Sequence, residues 1–314
     1  MNPFLSVITP LYNGEKFIAA TLGSIREQFA DGMELVVVDD GSTDRTLEIV
    51  RDFTAFLPIR IITPGRLGNW VAASNIGLRE ATGDWACFLQ QDDLWLPGRI
   101  ARIWAAMKET KSALIFHDAI FIGPAGQRLG LWTCPFSEGT IPSDRFIERL
   151  LIQNFIATPS PVFRRNVVLD SGGMDESLWV CADWDLWLRL GELGPVRFIA
   201  ETLSAFRIHP TSQAAARKLT EDEWGKQLTT VLDRHLNKWA GPEKYRSSLE
   251  SVARASIAVN SALSFASRGG SIRKSALMGE LLALGPIGWR RYLRDSRILQ
   301  RVISRIKVQR LAGA

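Results

Sequence analysis

Strand-like and helical patterns alternate along the first two thirds of this chain. Five short apolar runs are separated by amphipathic stretches of about 10 to 15 residues, an order typical of βαβ units. The runs are Leu5–Pro10, Leu35–Asp39, Ile59–Thr63, Trp85–Gln90 and Ala113–Ile120. We therefore predict an α/β fold with a Rossmann-like, mostly parallel sheet that helices cover on both faces.

The strand patterns stop near Thr220. Helical segments follow, with breaks at Gly269-Gly270 and Gly285-Pro286. We predict a first domain over residues 1–219 and a basic helical region over residues 220–314. Between Gly123 and Pro142 the sequence is rich in Gly, Pro, Ser and Thr, which indicates loops or an inserted β-turn.

Acidic residues follow two of the predicted strands. The run Leu35–Asp40 (LVVVDD) leads into Gly41-Ser42-Thr43-Asp44, and a second run ends in Gln90-Gln91-Asp92-Asp93. The carboxyl ends of parallel strands meet at one edge of the sheet, where open α/β folds bind ligands. Paired carboxylates at this edge favour a divalent cation or the ribose of a nucleotide.

The composition is that of an ordinary globular protein, with 46% hydrophobic and 23% charged residues in 314. Three cysteines, Cys87, Cys134 and Cys181, lack metal-ligand spacing and are predicted to be buried thiols in a reducing compartment. There is no signal-peptide pattern and no apolar stretch of the roughly 18 residues that span a bilayer. We expect cytoplasmic residence, with peripheral contact to the inner face of the cell membrane left open.

Positive charge is concentrated at the end of the sequence. Residues 268–314 hold eleven Lys and Arg against Glu280 and Asp295, a net charge of +9, whereas the preceding residues carry −4. Apolar residues such as Trp289, Tyr292 and Leu293 interleave with these arginines, a pattern typical of a helix on an anionic membrane. A solvated helical appendage or a dimer contact remains open. Nucleic acid is not expected as a partner, because no known reader motif is present.

Six motifs occur in the order seen in family 2 glycosyltransferases, which this chain resembles over about residues 4 to 215. They are SVITPLYN (Ser6–Asn13), VVVDDGSTD (Val36–Asp44), ASNIGL (Ala73–Leu78), QDDLW (Gln91–Trp95), GGMDE (Gly172–Glu176) and ADWDLWLRL (Ala182–Leu190). The resemblance implies a GT-A fold and an inverting transferase that uses a nucleotide diphosphate sugar, UDP or dTDP type favoured. It implies a saccharide or lipid-linked saccharide acceptor in cell-envelope polysaccharide synthesis. The alternative is a non-catalytic nucleotide-sugar or glycan-binding protein that retains the fold.

The resemblance also assigns the donor-binding residues. They are Pro10, Tyr12, Asn13, Asp40, Asn75, Gln91 and Asp92. The first three are expected to pack around the nucleoside, and Asp40 to accept a hydrogen bond from the base or ribose. Simple turn chemistry is the alternative for Tyr12 and Asn13, and a turn-stabilising or helix-capping carboxylate is the alternative for Asp39.

Asp92 and Asp93 match the family's acidic signature for Mn²⁺ or Mg²⁺, with His209 as a further metal ligand or a hydrogen-bonded loop histidine. Carboxylate oxygens suit these hard cations, which offset charge on the leaving diphosphate. Gln90 stands where the family usually has Asp, so we expect weaker cation affinity, as a tolerated variant or an impaired site. The alternative role for Asp92 and Asp93 is to cap the helix that begins near Pro97.

Asp183 falls where the family places its general base, at the start of a predicted helix. An inverting transfer is a single in-line displacement, so one carboxylate must take the acceptor proton. Ala182 replaces an acidic residue often found beside that base. The alternative is an aspartate that the helix dipole favours in the first turn.

Overall fold

The computed structural model describes residues 3–209, 212, 220–266, 274–296, 298 and 302–303, and within them ten strands form one sheet. The order across the sheet is β3-β2-β1-β4-β9-β6-β10-β5, with β7 paired to β6 and β8 paired to β10. The strands are β1 Leu5–Leu11, β2 Met33–Asp39, β3 Ile59–Ile62, β4 Trp85–Phe88, β5 Leu94–Trp95, β6 Leu114–Ile122, β7 Arg128–Trp132, β8 Gly139–Ile141, β9 Val162–Arg164 and β10 Val196–Arg207.

Helices flank this sheet and then continue alone toward the end of the chain. They are α1 Ile18–Arg26, α2 Thr46–Phe53, α3 Trp70–Glu80, α4 Arg99–Glu109, α5 Ser143–Ile152, α6 Arg165–Asp170, α7 Ala182–Glu192, α8 Glu221–Leu236, α9 Glu243–Ala266, α10 Lys274–Ala283 and α11 Gly285–Ser296.

The predicted parallel sheet is confirmed. Strand β1 pairs in parallel with β2 and with β4, and β2 pairs in parallel with β3. All seven residues of β1 are buried, as expected for a central strand covered on both faces. Each of the five predicted runs contains or overlaps one of β1, β2, β3, β4 and β6.

The antiparallel pairs were harder to foresee. Strand β9, three residues long, lies antiparallel between β4 and β6. Strands β7 and β8 fall in the Gly- and Pro-rich segment, and they pair antiparallel with β6 and β10. Strands this short have too few residues for a period-two pattern, so the sequence indicates only turns there.

Alternate residues of the central strands feed two hydrophobic clusters on opposite faces of the sheet. Val37 lies in the cluster that α1, α2 and α4 cover, whereas Val36 and Val38 lie in the cluster that α3, α5 and α7 cover. Trp187 of α7 is fully buried in the second cluster. The three cysteines are buried free thiols, as predicted.

The helices after residue 219 pack against the second face rather than standing apart. Helix α8 begins with a capping box between Thr220 and Glu223, and its Val231 and Leu232 enter the same cluster as Trp187. Among the helices of the described ranges, none is both long and apolar enough to cross a lipid bilayer. The division between residues 219 and 220 stays a prediction, and residues 213–219 lie outside the described residues.

Candidate active site

The loops after β1, β2 and β4 lie side by side at one edge of the sheet. Leu11 is in register with Asp39, and its carbonyl accepts a hydrogen bond from the Asp40 amide at 2.8 Å. Gln91, from the loop after β4, brackets the backbone of Tyr12: its Oε1 accepts from the Tyr12 amide at 2.8 Å, and its Nε2 donates to the Tyr12 carbonyl at 2.9 Å. Gln91 therefore fixes the path of the chain where β1 ends.

Turn chemistry holds Asn13 and Asp39. Asn13 has a φ of 48°, and its Oδ1 accepts a hydrogen bond from the Thr43 amide at 2.8 Å. The Asp39 carboxylate accepts from the Ser42 amide at 3.1 Å. Both residues shape the adjoining turns. A donor contact by Asn13 stays a prediction.

Asp40 is buried, and its carboxylate holds the loop that follows β3. It accepts hydrogen bonds from the Arg66 guanidinium, the Leu67 amide and the Gly68 amide. The Arg66 guanidinium carbon lies 3.6 Å from the centroid of the Tyr12 ring. Thus Asp40 faces a protein loop rather than open solvent, and Arg66 covers one face of Tyr12. Sequence reasoning missed Arg66, whose only local signal is its position between two glycines.

Asn75 has no free hydrogen-bonding group facing a ligand. Its Nδ2 donates to the Met174 carbonyl at 2.8 Å and to Glu176 Oε1 at 2.9 Å, and its Oδ1 accepts from the Met174 amide at 2.9 Å. Both ends of the buried amide therefore tie α3 to the turn at residues 172–176. This geometry gives Asn75 a structural role, and its contact with the donor stays a prediction.

Asp92 and His209 meet at the same edge of the sheet. Asp92 Oδ2 lies 2.7 Å from His209 Nε2. The predicted helix-capping role is wrong: α4 begins after Gly98, and no side chain caps it. Within the described residues, no group of three or more His, Cys, Asp or Glu side chains is arranged around a common point. Asp92 and His209 thus form a pair that offers one carboxylate oxygen and one imidazole nitrogen as possible metal ligands.

Asp93, the next residue after Asp92, is buried and contacts the end of β10. It is 1% exposed, and its Oδ1 accepts a hydrogen bond from the Arg207 amide at 2.8 Å. Its Oδ2 is buried without a hydrogen-bond partner, and burial together with the charge of Asp92 raises its pKa well above the usual value. Asp93 thus anchors the end of β10 through Oδ1, and its coordination of a cation beside Asp92 stays a prediction.

Arg207 supports Asp92 from the other side. Its Nε donates to the Asp92 carbonyl at 2.7 Å, and its Nη1 donates to the Gly123 and Pro124 carbonyls. The ring of Phe17 lies beneath both the Arg207 guanidinium and the His209 imidazole. These contacts fix the orientation of the Asp92 and His209 pair. Phe17 carried no signal in the sequence.

Asp183 stands in the first turn of α7, half-buried. Its Oδ1 accepts a hydrogen bond from the Trp184 amide at 2.7 Å, and its Oδ2 accepts from the Thr158 hydroxyl at 3.2 Å. Burial raises the pKa of Asp183 to about 6 despite these hydrogen bonds. The carboxylate is thus mostly ionised at neutral pH, yet it accepts a proton much more readily than a surface aspartate.

A rigid turn presents Thr158 to this carboxylate. The fully buried Arg99 donates from Nη2 to the Pro159 and Ser160 carbonyls at 3.4 and 3.3 Å. Ser160 also exchanges two hydrogen bonds with the backbone of His117, at 2.9 and 2.6 Å. Sequence reasoning missed Thr158 and Arg99, because nothing local links them to the start of α7.

Asp185 lies on another face of α7 and is fully buried. Its carboxylate pairs with Arg189 at 2.9 Å, with Arg234 at 2.7 Å and with His235 at 3.0 Å. Burial alone would raise its pKa, but the hydrogen bond from His235 and the charge of Arg189 outweigh burial and lower the pKa to about 2. Asp185 therefore joins α7 to α8 as a permanent anion.

Comparison with known proteins places this arrangement in a family. Residues 6–170, more than half of the chain, match the family description "Glycosyl transferase family 2". A glycosyltransferase of Mycobacterium tuberculosis named for PGL/p-HBAD biosynthesis is 31% identical over 60% of this chain and 69% of its own length. An uncharacterized glycosyltransferase of Haemophilus influenzae is 25% identical over 59% of this chain, and the chain spans 61% of that relative.

Solved structures share the fold. Residues 1-349 of TarS from S. aureus, in complex with UDP-GlcNAc, superpose with a TM-score of 0.67 at 18% identity, covering 98% of this chain and 89% of that one. The mannosyltransferase PcManGT from Pyrobaculum calidifontis, in complex with GDP-Man and Mn²⁺, gives 0.59 at 19% identity, covering 98% and 88%. The sequence match and this shared architecture lead to one conclusion: the chain belongs to glycosyl transferase family 2 and has the GT-A fold.

Proposed function

We propose that this protein is an inverting glycosyltransferase with Asp183 as its general base. The observation that carries the proposal is the half-buried Asp183 carboxylate at the start of α7, whose pKa is raised to about 6. A general base works best when its pKa lies near the working pH, and burial brings this aspartate close to that range.

The proposed sugar transfer is a single displacement at the anomeric carbon. The acceptor hydroxyl oxygen forms a bond to the anomeric carbon of the sugar, and the bond from that carbon to the diphosphate oxygen breaks. The diphosphate leaves with the electron pair, and the acceptor proton passes to Asp183. The Trp184 amide and the Thr158 hydroxyl hold the two carboxylate oxygens during this transfer. Their part is to keep one lone pair aimed at the acceptor.

We propose a nucleoside diphosphate sugar as donor, with uridine or thymidine as the favoured base. The complexes of TarS with UDP and with UDP-GlcNAc support a uridine donor, since those structures share the fold. Pro10, Tyr12 and Asn13 would border the nucleoside. Arg66, held by Asp40 above Tyr12, joins them as a contact that the sequence did not indicate.

We propose Asp92 and His209 as the protein ligands of Mn²⁺ or Mg²⁺. Carboxylate oxygens and imidazole nitrogens are groups that can hold such a cation, and the side chains of Asp92 and His209 lie together at this edge of the sheet. When bound, the cation would neutralise charge on the departing diphosphate. Asp93 holds the Arg207 backbone through Oδ1, and its unpartnered Oδ2 keeps it as a further proposed ligand.

The proposed acceptor is a saccharide or a lipid-linked saccharide of cell-envelope polysaccharide synthesis. This acceptor class rests on the resemblance to family 2 glycosyltransferases, and the mycobacterial relative is named for PGL/p-HBAD biosynthesis. The second candidate is a non-catalytic binding protein, which Gln90 and Ala182 favour because each replaces an acidic residue usual in the family.

Calorimetric titration distinguishes these candidates at the donor step. Purified protein is titrated with UDP-, dTDP- and GDP-sugars in Mn²⁺, in Mg²⁺ and with chelator, and each donor is then tested for release of nucleoside diphosphate. Metal-dependent binding with release supports the transferase. Metal-dependent binding without release, under any acceptor tested, supports the binding protein. Absence of binding in every condition contradicts the transferase and supports a protein that binds glycans and has lost the donor site.

A further inference from the structure

Helices α10 and α11 present an apolar surface to solvent. Met278 and Leu282, one turn apart on α10, are 55% and 70% exposed. Ile287 and Leu293 on α11 are 83% and 47% exposed. We call these four residues the α10–α11 face. Large apolar side chains exposed together in this way mark an interaction surface more often than an ordinary stretch of protein surface.

The opposite side of the same two helices is well anchored. Leu277, Leu281, Leu284 and Trp289 pack against the hydrophobic cluster of the second sheet face, and Tyr292 is buried in it. The prediction that Trp289 and Tyr292 contact a membrane is therefore wrong, because both point inward. The apolar residues of the predicted membrane helix between 304 and 311 lie outside the described residues.

Ion pairs fix the helices in the same orientation. Arg291 pairs with Glu148 of α5, and Arg149 of α5 lies 2.9 Å from Asp295. Buried Asp295 also accepts two hydrogen bonds from Arg294. The exposed residues of the α10–α11 face are thus held outward by a packed and ion-paired inner side.

Helix α10 has the composition of a helix that is covered all round. Its sequence, KSALMGELLA, has apolar residues on every side, which is typical of a helix without a solvated face. Yet Leu282 and Met278 are exposed, and no described residue covers them. Among the described residues, this apolar side of α10 is therefore left uncovered.

Charge indicates the kind of partner. Arg290 is exposed on α11, and the side chain of Arg294 is 59% exposed on the same helix. Residues 268–314 carry +9 in all, against −4 for the rest of the chain. An anionic surface would attract residues 268–314 and repel the rest of the chain. Exposed apolar side chains beside surface arginines match a bilayer with acidic headgroups, which takes both kinds of group.

We propose that the α10–α11 face docks onto an anionic lipid bilayer, with Met278, Leu282, Ile287 and Leu293 entering the headgroup region and Arg290 contacting lipid phosphates. This inference does not depend on the transferase proposal, since it rests on the outer surface of the C-terminal helices alone. A lipid-linked acceptor would then reach the protein without leaving the membrane.

Vesicle flotation of the full chain tests the proposal. The protein is mixed with phosphatidylcholine vesicles that contain about one third phosphatidylglycerol, and in parallel with phosphatidylcholine alone. We expect flotation with the anionic vesicles only, and partial release at high salt, because salt screens the arginines. The double variant Leu282→Ser/Ile287→Ser should bind the anionic vesicles at least about tenfold more weakly, and Arg290→Gln about fivefold more weakly.

A matched control removes two equally exposed apolar side chains elsewhere. Phe56 and Leu193 are 61% and 63% exposed on the sheet-bearing part of the chain. The variant Phe56→Ser/Leu193→Ser should float like the wild type. Circular dichroism and donor titration check that every variant is folded, so loss of flotation cannot be confused with loss of the donor site.

Three outcomes would overturn the proposal. The first is a wild-type protein that does not float with anionic vesicles, and the second is a Leu282→Ser/Ile287→Ser variant that floats as well as the wild type. The third comes from analytical ultracentrifugation: if the wild type self-associates without binding vesicles and the same double variant is monomeric, the face joins two copies of the chain instead.

Discussion

Helix α7 places two aspartates, two positions apart, in opposite electrostatic surroundings. Asp183 is half-buried with only neutral hydrogen-bond donors, and its pKa is raised to about 6. Asp185 is buried more deeply, yet its pKa is lowered to about 2 because His235, Arg189 and Arg234 surround it. Burial raises both pKa values, and the cationic partners of Asp185 reverse the direction for that residue alone.

The comparison shows how one short segment serves two purposes. Desolvation without a cation keeps a carboxylate basic, while desolvation with three cationic partners keeps it ionised. The first suits proton transfer, and the second suits a fixed junction between α7 and α8. Both residues belong to the same D-W-D sequence, so residue type does not distinguish them.

The largest expected effect is on turnover. Asp183→Asn should lower kcat about 10²- to 10⁴-fold with donor affinity retained, because the amide cannot take the acceptor proton. Steady-state rates and donor titration measure the two quantities.

Asp144, an exposed aspartate in the first turn of α5, provides the control. If Asp183 is present only because the helix dipole favours it, Asp144→Asn and Asp183→Asn will have equal and small effects on kcat.

Asp185 should matter for stability instead. Asp185→Asn leaves Arg189, Arg234 and His235 without their shared anion, so we expect the free energy of unfolding to fall by about 3–5 kcal/mol. Urea denaturation measures it. Asp175→Asn, which removes a more exposed partner of Arg234, should cost about 1 kcal/mol or less. If the two variants lose equal amounts of unfolding free energy, the buried ion pairs of Asp185 contribute no more to stability than the exposed pair of Asp175.

The two aspartates should also differ in how pH affects stability. The folded-state pKa of Asp183 exceeds the ordinary 3.8, so its ionisation destabilises the fold as pH rises from about 4 to about 6. Asp183→Asn should thus be more stable than the wild type by about 1–2 kcal/mol at pH 7, and no more stable near pH 4. The Asp185 pKa is lowered, so its stabilisation is present above about pH 4 and is lost toward pH 2.

Denaturation of both proteins at pH 4, 5.5 and 7.5 measures this difference. If the difference in unfolding free energy between the wild type and Asp183→Asn stays constant across the three pH values, the raised pKa of Asp183 is contradicted.

The smallest effect concerns Thr158. Its hydroxyl donates to Asp183 and favours the ionised form, so Thr158→Val should raise the Asp183 pKa by about half a unit to one unit. The acid limb of the profile of kcat/KM against pH should move to higher pH by the same amount. At pH 8, kcat/KM itself should fall only a few-fold. Thr158→Ser keeps the hydroxyl and should leave the limb in place, whereas an unmoved limb in Thr158→Val would remove Thr158 from the site.

The sequence predicted what local patterns control. Apolar runs located the parallel strands, and the acidic residues after β2 and β4 located the edge of the sheet that holds the candidate site. The position of Asp183 at a helix start followed from its motif. Each of these features depends on residues within a few positions of one another.

Partners far apart in the chain could not be predicted. Thr158 meets Asp183 across 25 positions and Arg66 meets Asp40 across 26, whereas only the family resemblance grouped His209 with Asp92, 117 positions away. The sequence likewise did not show that Asn75 binds the backbone of Met174 and that Asp93 Oδ1 binds the Arg207 amide. Which polar group is left over for a ligand depends on the packed structure, not on the motif.

The junction through Asp185 has a consequence for any attempt to divide the chain. Cutting between residues 219 and 220 would remove Arg234 and His235 and leave the buried Asp185 carboxylate without these two partners in the remaining fragment. It would also uncover the part of the core that Val231 and Leu232 fill. We expect a fragment ending there to lose cooperativity in unfolding, because the C-terminal helices complete the core of the sheet-bearing part of the chain.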